Sequence, residues 1–181
     1  MVQLIELLAE KNLVRLLSFF LQNPTAEMSQ VQIAKKLKLA KGTLIKWIKH
    51  LEKLDIISLK KVGATNLCSL RREKSIVKQL KVLYNLSLLA SLKKILSRNG
   101  IDIKIYLYGS AARGEDIESS DFDVMIIGRL QKEDIINEVN KLAEGINKDI
   151  GLEIFSDLEW SEMSRKDKAF YERVEKDKVE L

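Results

Sequence analysis

The chain has 181 residues, of which 46% are hydrophobic, with 31 Lys and Arg against 26 Asp and Glu and a single proline. This composition indicates a globular protein with room for one large or two small domains and excludes a disordered chain. Its one cysteine, Cys68, excludes an internal disulfide, and its one histidine, His50, excludes a zinc site built from cysteine and histidine. No apolar run reaches the ~18 residues of a membrane span. The N-terminus carries Glu6 and Glu10 where a signal peptide is basic, so we expect a cytoplasmic protein without a membrane partner.

The net charge of +5 conceals two halves of opposite sign. Residues 1–98 contain 19 Lys and Arg against 6 Asp and Glu, whereas residues 99–181 contain 12 against 20. Such asymmetry predicts two domains with different partners. A polyanion suits the first half, and cations or metal-bound phosphate suit the second.

Three helices are predicted at the start of the chain. Apolar residues recur at helical spacing from Val2 to Leu21, and the helix should end before Asn23-Pro24. Ser29-Gln-Val-Gln32 has the form of a capping box and predicts a second helix through Leu37. After a short turn, a third helix is predicted from about Lys41 to Leu54.

The outer face of the third helix is basic. Its buried face is predicted to be Leu44, Ile45, Ile48 and Leu51. Its outer face carries Lys41, Thr43, Lys46, Lys49, His50 and Lys53. Glu52 is the only acid between Val31 and Leu54, so these cations lack acidic partners and favour phosphate contact over a merely solvated face.

Two short strands are predicted after these helices, at Ile56 to Lys61 and Asn66 to Leu70, with Cys68 as a small buried residue. The second and third predicted helices, joined by a short turn, have the form of a helix-turn-helix. Together with these strands, they resemble the winged-helix transcription-regulator family. The resemblance implies that residues 1–72 bind duplex DNA, with helix-turn-helix contact to a protein as the alternative. The predicted DNA contacts are Lys41, Thr43, Lys46, Lys49 and Lys53.

A long helix is predicted over residues 73–98, ending at Asn99-Gly100. Its apolar stripe, which includes Leu80, Leu83 and Leu86, is wider than one domain needs. We therefore expect a linking helix, part of which can pair with a second copy in a homodimer.

The second half alternates strands and helices. Strands are predicted at about 101–108, 121–127 and 150–155, with helices at about 131–147 and from about Glu159 onward. The first strand leads into Gly109-Ser110, where small residues allow a tight turn and a short helix whose free N–H groups can seat a phosphate. Asp121 and Asp123 point to one face of the next strand, because side chains alternate. Two carboxylates beside a phosphate seat suit Mg²⁺.

The pattern Gly109-Ser110-x-x-Arg113-Gly114-x5-Ser120-Asp121-x-Asp123-Val124 is similar to the signature of the nucleotidyltransferase superfamily that includes DNA polymerase beta. The resemblance is closest to its minimal nucleotidyltransferase branch and runs from Ile101 to the C-terminus. The fold class expected is therefore an α/β (α+β) chain of two domains. Residues 1–72 would form the winged helix-turn-helix, 73–98 the linking helix, and 99–181 a small mixed-sheet nucleotidyltransferase domain.

The resemblance implies transfer of a nucleoside monophosphate from an NTP, expected to be ATP, to a hydroxyl acceptor that can lie on a partner protein. The implied catalytic and metal-binding residues, holding two Mg²⁺ ions, are Asp121, Asp123 and Glu153. The implied nucleotide-binding residues are Gly109, Ser110 and Arg113. The alternative function is a transcription regulator or antitoxin that binds nucleotide without turnover.

Two residues of the motif have alternative structural roles. Arg113 can instead form a salt bridge to Glu115 or Asp116. Ser120 is expected to cap the loop rather than to touch substrate.

Overall fold

The computed structural model describes residues 9–96 and 103–181. The chain divides into two compact units, Met1–Leu80 and Lys81–Leu181. Among the helices in these ranges, none is both long enough and apolar enough to cross a membrane. The predictions made for residues 2–8, for the Asn99-Gly100 helix end and for the start of the strand at Ile101 lie outside the described residues.

The first unit joins helices to a three-stranded sheet. Its elements are α1 (Lys11–Gln22), β1 (Met28–Ser29), α2 (Gln30–Leu37), α3 (Lys41–Lys53), β2 (Ile57–Val62) and β3 (Thr65–Leu70), followed by α4 (Ser75–Leu96), which continues into the second unit. The strands are antiparallel in the order β1-β3-β2. The two-residue strand β1 is absent from the sequence prediction because two residues carry no readable period.

Local sequence signals explain where these elements begin and end. The capping box predicted at Ser29 and Gln32 is present, with each side chain bonded to the backbone of the other residue. Lys38 ends α2 in the left-handed conformation (φ 50°), and Arg15 donates to the terminal Leu37 carbonyl at 2.6 Å. Gly63 adopts a φ of 59° in the turn between β2 and β3, a conformation that glycine tolerates without strain.

The predicted helix from Val2 to Leu21 can be compared with the structure only from Ala9 onward. There its predicted start is wrong. Ala9 and Glu10 are not helical, and α1 begins at Lys11. Glu10 is extended (φ −96°, ψ 98°), and its carbonyl accepts from the N–H groups of Leu13 and Val14. The apolar residues before and after Glu10 keep the same helical spacing. A prediction based on that spacing alone therefore runs through the cap without a break.

The core of the first unit contains one side chain that the helical pattern missed. Trp47 is buried on α3 together with Leu44, Ile48 and Leu51, whereas Ile45 is only half-buried. Cys68 is fully buried on β3, as expected, and burial raises the pKa of its thiol to about 11.

The second unit is a four-stranded mixed sheet with helices on both faces. After α4 come β4 (Ile103–Tyr108), α5 (Gly109–Ala112), β5 (Phe122–Gly128), α6 (Lys132–Ile146), β6 (Ile150–Phe155), α7 (Asp157–Lys166), α8 (Lys168–Asp177) and β7 (Val179–Glu180). The strand order is β6-β5-β4-β7, with β5 and β6 parallel and the other pairs antiparallel. The mixed sheet agrees with the predicted fold class.

The alternation of side chains gives this sheet two apolar faces. One face, with Leu107, Val124 and Leu152, packs in a buried cluster with residues of α4 and α6. The other face, with Tyr108 and Met125, clusters with aromatic residues of α7 and α8. β5 is buried on both sides, which explains its nearly continuous apolar sequence.

The single terminal helix predicted from Glu159 is wrong, since two helices and a strand occupy this region. The first begins at a capping box of Ser156 and Glu159, which is a local signal in the sequence. Asp167 then separates the helices (φ −140°, ψ 77°) and caps the second by accepting from the Phe170 N–H. Beyond α8, Leu181 N–H donates to the Ile105 carbonyl and extends the pairing of β7 with β4.

Helix α4, which was predicted to link the two domains, carries apolar side chains at the surface. Leu83 is 58% exposed and Ile76 is 40% exposed, whereas Leu89 and Leu92 are fully buried. Pairing of α4 with a second copy stays a prediction.

Candidate active site

The two aspartates of the Asp-x-Asp pattern lie at the start of β5. Across the sheet, Asp123 pairs with Tyr108 of β4 and with Gly151 of β6. Asp121 precedes the strand by one residue and is exposed. Glu153 pairs with Met125, so it lies on the same face as Asp123 but two residues further along the neighbouring strand.

Gly109 brings the backbone of the turn directly against the Asp123 carboxylate. Its φ is 71°, and a Cβ placed on it would lie 2.3 Å from Asp123 Oδ2. Any side chain here would collide with the carboxylate and strain the backbone as well. Glycine is therefore required at this position by the geometry of the site.

The Asp123 carboxylate is held in an unfavourable electrostatic environment. Burial raises its pKa, the neighbouring Asp121 raises it further, and Arg173 and Arg113 partly oppose the shift. In the described ranges, no ion pair joins either aspartate to a basic side chain. Two carboxylates without ion-pair partners, separated by one residue, are a donor set that fits a hard divalent cation such as Mg²⁺.

Glu153 is exposed on the edge strand β6. Among the described residues, no three acidic, histidine or cysteine side chains are gathered closely enough to hold a metal ion. The sheet thus puts Glu153 on the aspartate face without clustering it with the pair. Its role as third ligand or base stays a prediction.

Ser110 and Arg113 lie in and directly after the short helix α5. Ser110 is half-buried, and its carbonyl accepts from the Glu115 N–H at 2.9 Å. Arg113 donates to Glu115 Oε2 at 2.9 Å and to Asp177 Oδ2 at 2.6 Å. The alternative salt bridge to Glu115 is therefore present. The one to Asp116 is wrong, because Asp116 is buried with other partners.

A buried polar network holds the loop that leads to the aspartates. Asp116 is 1% exposed and forms an ion pair with Lys81 at 2.9 Å, measured from Oδ2 to Nζ. Asn85 donates from Nδ2 to Asp116 Oδ1 at 2.8 Å and to the Ala111 carbonyl at 3.0 Å. Lys81 and Asn85 are also buried, on α4. This network links α4 both to α5, through Ala111, and to the loop that follows α5, through Asp116.

Lys148 anchors the other end of the same loop. It donates to the carbonyls of Ile117 at 2.6 Å and Ser120 at 2.7 Å. Burial lowers its pKa, against the favourable charge of Asp116. Ser120 caps the loop, as expected, by accepting from the Ile117 N–H at 3.0 Å. The position of Asp121 is thereby fixed from both sides of the loop.

Two residues near the aspartates were missed by sequence reasoning. Burial, as the largest cause, and the charges of Asp123 and Glu153 together raise the pKa of Tyr108 to about 12, against the opposing charge of Arg173. Arg173, an exposed residue of α8, acts electrostatically on both Tyr108 and Asp123. The alternating period of β4 could have placed Tyr108 on the aspartate face. No sequence signal could have found Arg173, since its proximity depends on the packing of α8.

The predicted DNA contacts of the first unit lie on one helix. On α3, Lys41, Lys46, Lys49 and Lys53 are exposed and Thr43 is half-buried. The Lys46 ammonium lies 4.3 Å from the centre of the Trp47 ring. The surface needed for phosphate contact is thus presented to solvent, while DNA binding itself stays a prediction.

Comparison with known proteins identifies the family. The family model for the nucleotidyltransferase domain matches residues 89–179, which is half of the chain. The chain belongs to the nucleotidyltransferase domain family. The match includes the Gly109 turn, both aspartates and Glu153. The nucleotidyltransferase unit has a mixed sheet of the kind expected for this fold.

Two further comparisons add little to this assignment. A solved structure of a candidate nucleotidyltransferase from Sulfolobus solfataricus is 20% identical, with a TM-score of 0.33, over 59% of this chain and 84% of that one. Among curated proteins, none matches the chain.

Proposed function

We propose that this protein is a Mg²⁺-dependent nucleotidyltransferase that moves the nucleoside monophosphate of ATP onto a hydroxyl group of a partner protein. The observation that carries the proposal is the contact of the Gly109 backbone with the Asp123 carboxylate, beside Asp121 and within a family of nucleotidyltransferases. A turn of small residues leaves room for phosphates next to metal-binding acids. The fixed loop gives those acids a defined position.

In the proposed reaction the acceptor oxygen attacks the α-phosphorus of the nucleotide, a new P–O bond forms, and pyrophosphate leaves. Asp121 and Asp123 would hold the two Mg²⁺ ions, which neutralise phosphate charge and polarise the reacting oxygens when bound. Glu153 accepts the proton of the acceptor hydroxyl as general base. The Ser110 hydroxyl and nearby N–H groups of the turn orient the β- and γ-phosphates.

The direct test uses ATP labelled at the α-phosphate, with the protein, Mg²⁺ and the products of its neighbouring genes. We expect label to move onto one of these proteins in a Mg²⁺-dependent manner. The Asp123→Asn variant should transfer none. Equal labelling by the variant would refute the assignment of the site.

A second function is supported by the exposed position of Glu153 and by the lack of a three-acid cluster among the described residues. In this account the same site binds ATP as a signal and no transfer follows. ATP would then remain intact after long incubation with the protein and Mg²⁺, although binding is measurable. Release of pyrophosphate would exclude this alternative.

We further propose that the first unit binds duplex DNA as a winged helix through α3. The support is the row of exposed lysines on α3, a helix on which Glu52 is the only acidic residue. Replacing Lys46 and Lys49 with Ala should reduce affinity and flatten the salt dependence by about two counterions, since each phosphate contact releases about one. The control variant, in which Lys104 and Lys141 are replaced with Ala, has the same net charge as the Lys46, Lys49 double variant. It should bind DNA as wild type does. Equal losses in both variants would contradict a specific role for α3.

A further inference from the structure

Two arginines contribute positive charge near the aspartates, and they differ in their partners. Arg113 belongs to the glycine motif, but its guanidinium is bound to Glu115 and Asp177. Arg173 belongs to α8, is exposed, and forms no ion pair with a carboxylate anywhere in residues 9–96 or 103–181. The arginine of the sequence motif is therefore paired with carboxylates, and the arginine outside the motif is not.

A chain of contacts leads from Arg173 on α8 to Asp123. The Arg173 guanidinium lies 5.5 Å from the centre of the Phe170 ring. Phe170 in turn packs edge-to-face on Tyr108 with ring centres 6.0 Å apart. Tyr108 is the direct cross-strand neighbour of Asp123. Consistent with this chain of contacts, the charge of Arg173 acts on both Tyr108 and Asp123.

Arg113 contacts the face of α8 that carries Arg173. Arg173 and Asp177 are four residues apart on α8, so their side chains leave the same face of the helix. Arg113 holds Asp177 at 2.6 Å and thereby fixes that face of α8 toward the glycine turn. Arg113 is in this sense a positioning residue for Arg173.

We propose that Arg173 binds the triphosphate of a nucleoside triphosphate held at Asp121 and Asp123, while Arg113 fixes the helix that carries it. This inference rests on the proposed function, because it requires a nucleotide at the aspartate pair. A guanidinium pairs with phosphate oxygens through several charge-assisted hydrogen bonds, which an ammonium cannot reproduce. Recognition should therefore depend on the β- and γ-phosphates.

The test compares the binding of ATP and AMP to the full chain by calorimetry in the presence of Mg²⁺. The Arg173→Ala variant should bind ATP at least about ten-fold more weakly, the scale of a lost charge-assisted contact, and should bind AMP as wild type does. Arg173→Lys should be intermediate. The matched control is Lys176→Ala, which removes an exposed cation from the same helix and should leave both affinities unchanged.

The positioning role of Arg113 has its own readout. Asp177→Asn breaks the link to Arg113 without touching Arg173, and it should weaken the binding of ATP more than that of AMP. In the Arg173→Ala background the same change should have no further effect on ATP. An additive loss in the double variant would refute the positioning role.

Three outcomes separate this inference from the proposed function. Wild-type affinity of Arg173→Ala for ATP would overturn the inference and leave the proposed function intact. Equal losses of ATP and AMP would also overturn it, because Arg173 would then not read the outer phosphates. If wild type binds neither nucleotide with Mg²⁺, both the inference and the proposed function fail.

Discussion

Asp116 and Asp123 are seven residues apart on the same loop and strand, yet their surroundings are opposite. Asp116 is fully buried, and its two oxygens face Lys81 and Asn85. Asp123 is half-buried next to Asp121, without an ion pair in the described part of the chain. A buried carboxylate surrounded by partners stabilises the fold, whereas one left without partners is available to a ligand. The difference supports a structural role for the first acid and the functional role that we propose for the second.

The same comparison explains why the position of the aspartate pair depends on the buried network around Asp116. The Asp116 network ties α4 to the glycine turn through the Ala111 carbonyl, and Lys148 holds the loop through Ile117 and Ser120. The carboxylates of Asp121 and Asp123 repel each other, and nearby arginines offset this only in part. The contacts of Asp116 and Lys148 therefore hold the loop that leads to Asp121 and Asp123, despite the repulsion between these two aspartates.

The largest effect is expected on removing Asp116. Asp116→Ala leaves the Lys81 ammonium buried without its counter-charge, and it should cost about 3–5 kcal/mol of unfolding free energy. Urea denaturation measures the loss. Asp121→Ala is the matched control, because this exposed aspartate should change stability by less than about 0.5 kcal/mol. Similar losses in both variants would remove the distinction between the two carboxylates.

A smaller effect is expected at Glu153, which extends the functional side of the comparison. Glu153→Gln should leave ATP affinity and stability unchanged and should reduce transfer by about 100-fold, the scale of a lost general base. Single-turnover transfer assays measure the rate. Glu159→Gln, on the neighbouring helix, is a control for removing one acidic charge. An unchanged transfer rate in Glu153→Gln would show that this acid is only part of an exposed edge.

The smallest effect concerns the pH dependence of stability. Because the pKa of Asp123 is raised in the folded protein, folding favours its protonated form, and stability is lost as pH rises above the ordinary carboxylate pKa. Asp123→Asn removes this loss. The variant should be more stable than wild type at neutral pH, and the difference should disappear below about pH 4, where the unfolded carboxylate is also protonated. Thermal unfolding across pH measures the difference, and a variant less stable than wild type at pH 7 would contradict the account.

The sequence predicted the elements whose signals are local. Strand β6 was predicted with its observed bounds, and the capping box at Ser29 was correct, because period and capping are readable from neighbouring residues. The pairing of β7 depends on long-range contacts and was missed, and the break at Asp167 was missed although its cap on Phe170 is local. For the site, the motif pointed to Gly109 and Asp123, but it could not reveal that Arg113 binds Asp177. Pairings between distant elements such as this one leave no period in the sequence.

The most direct test of the central claim is calorimetric titration of ATP with and without Mg²⁺, in wild type and in the Asp121→Asn, Asp123→Asn double variant. The account predicts that wild type binds ATP only with Mg²⁺ and that the double variant, although folded, shows no Mg²⁺-dependent binding. Asp167→Asn, which changes an exposed capping aspartate, should behave as wild type. If the double variant binds ATP with the same affinity and the same Mg²⁺ dependence as wild type, the aspartate pair is not the site.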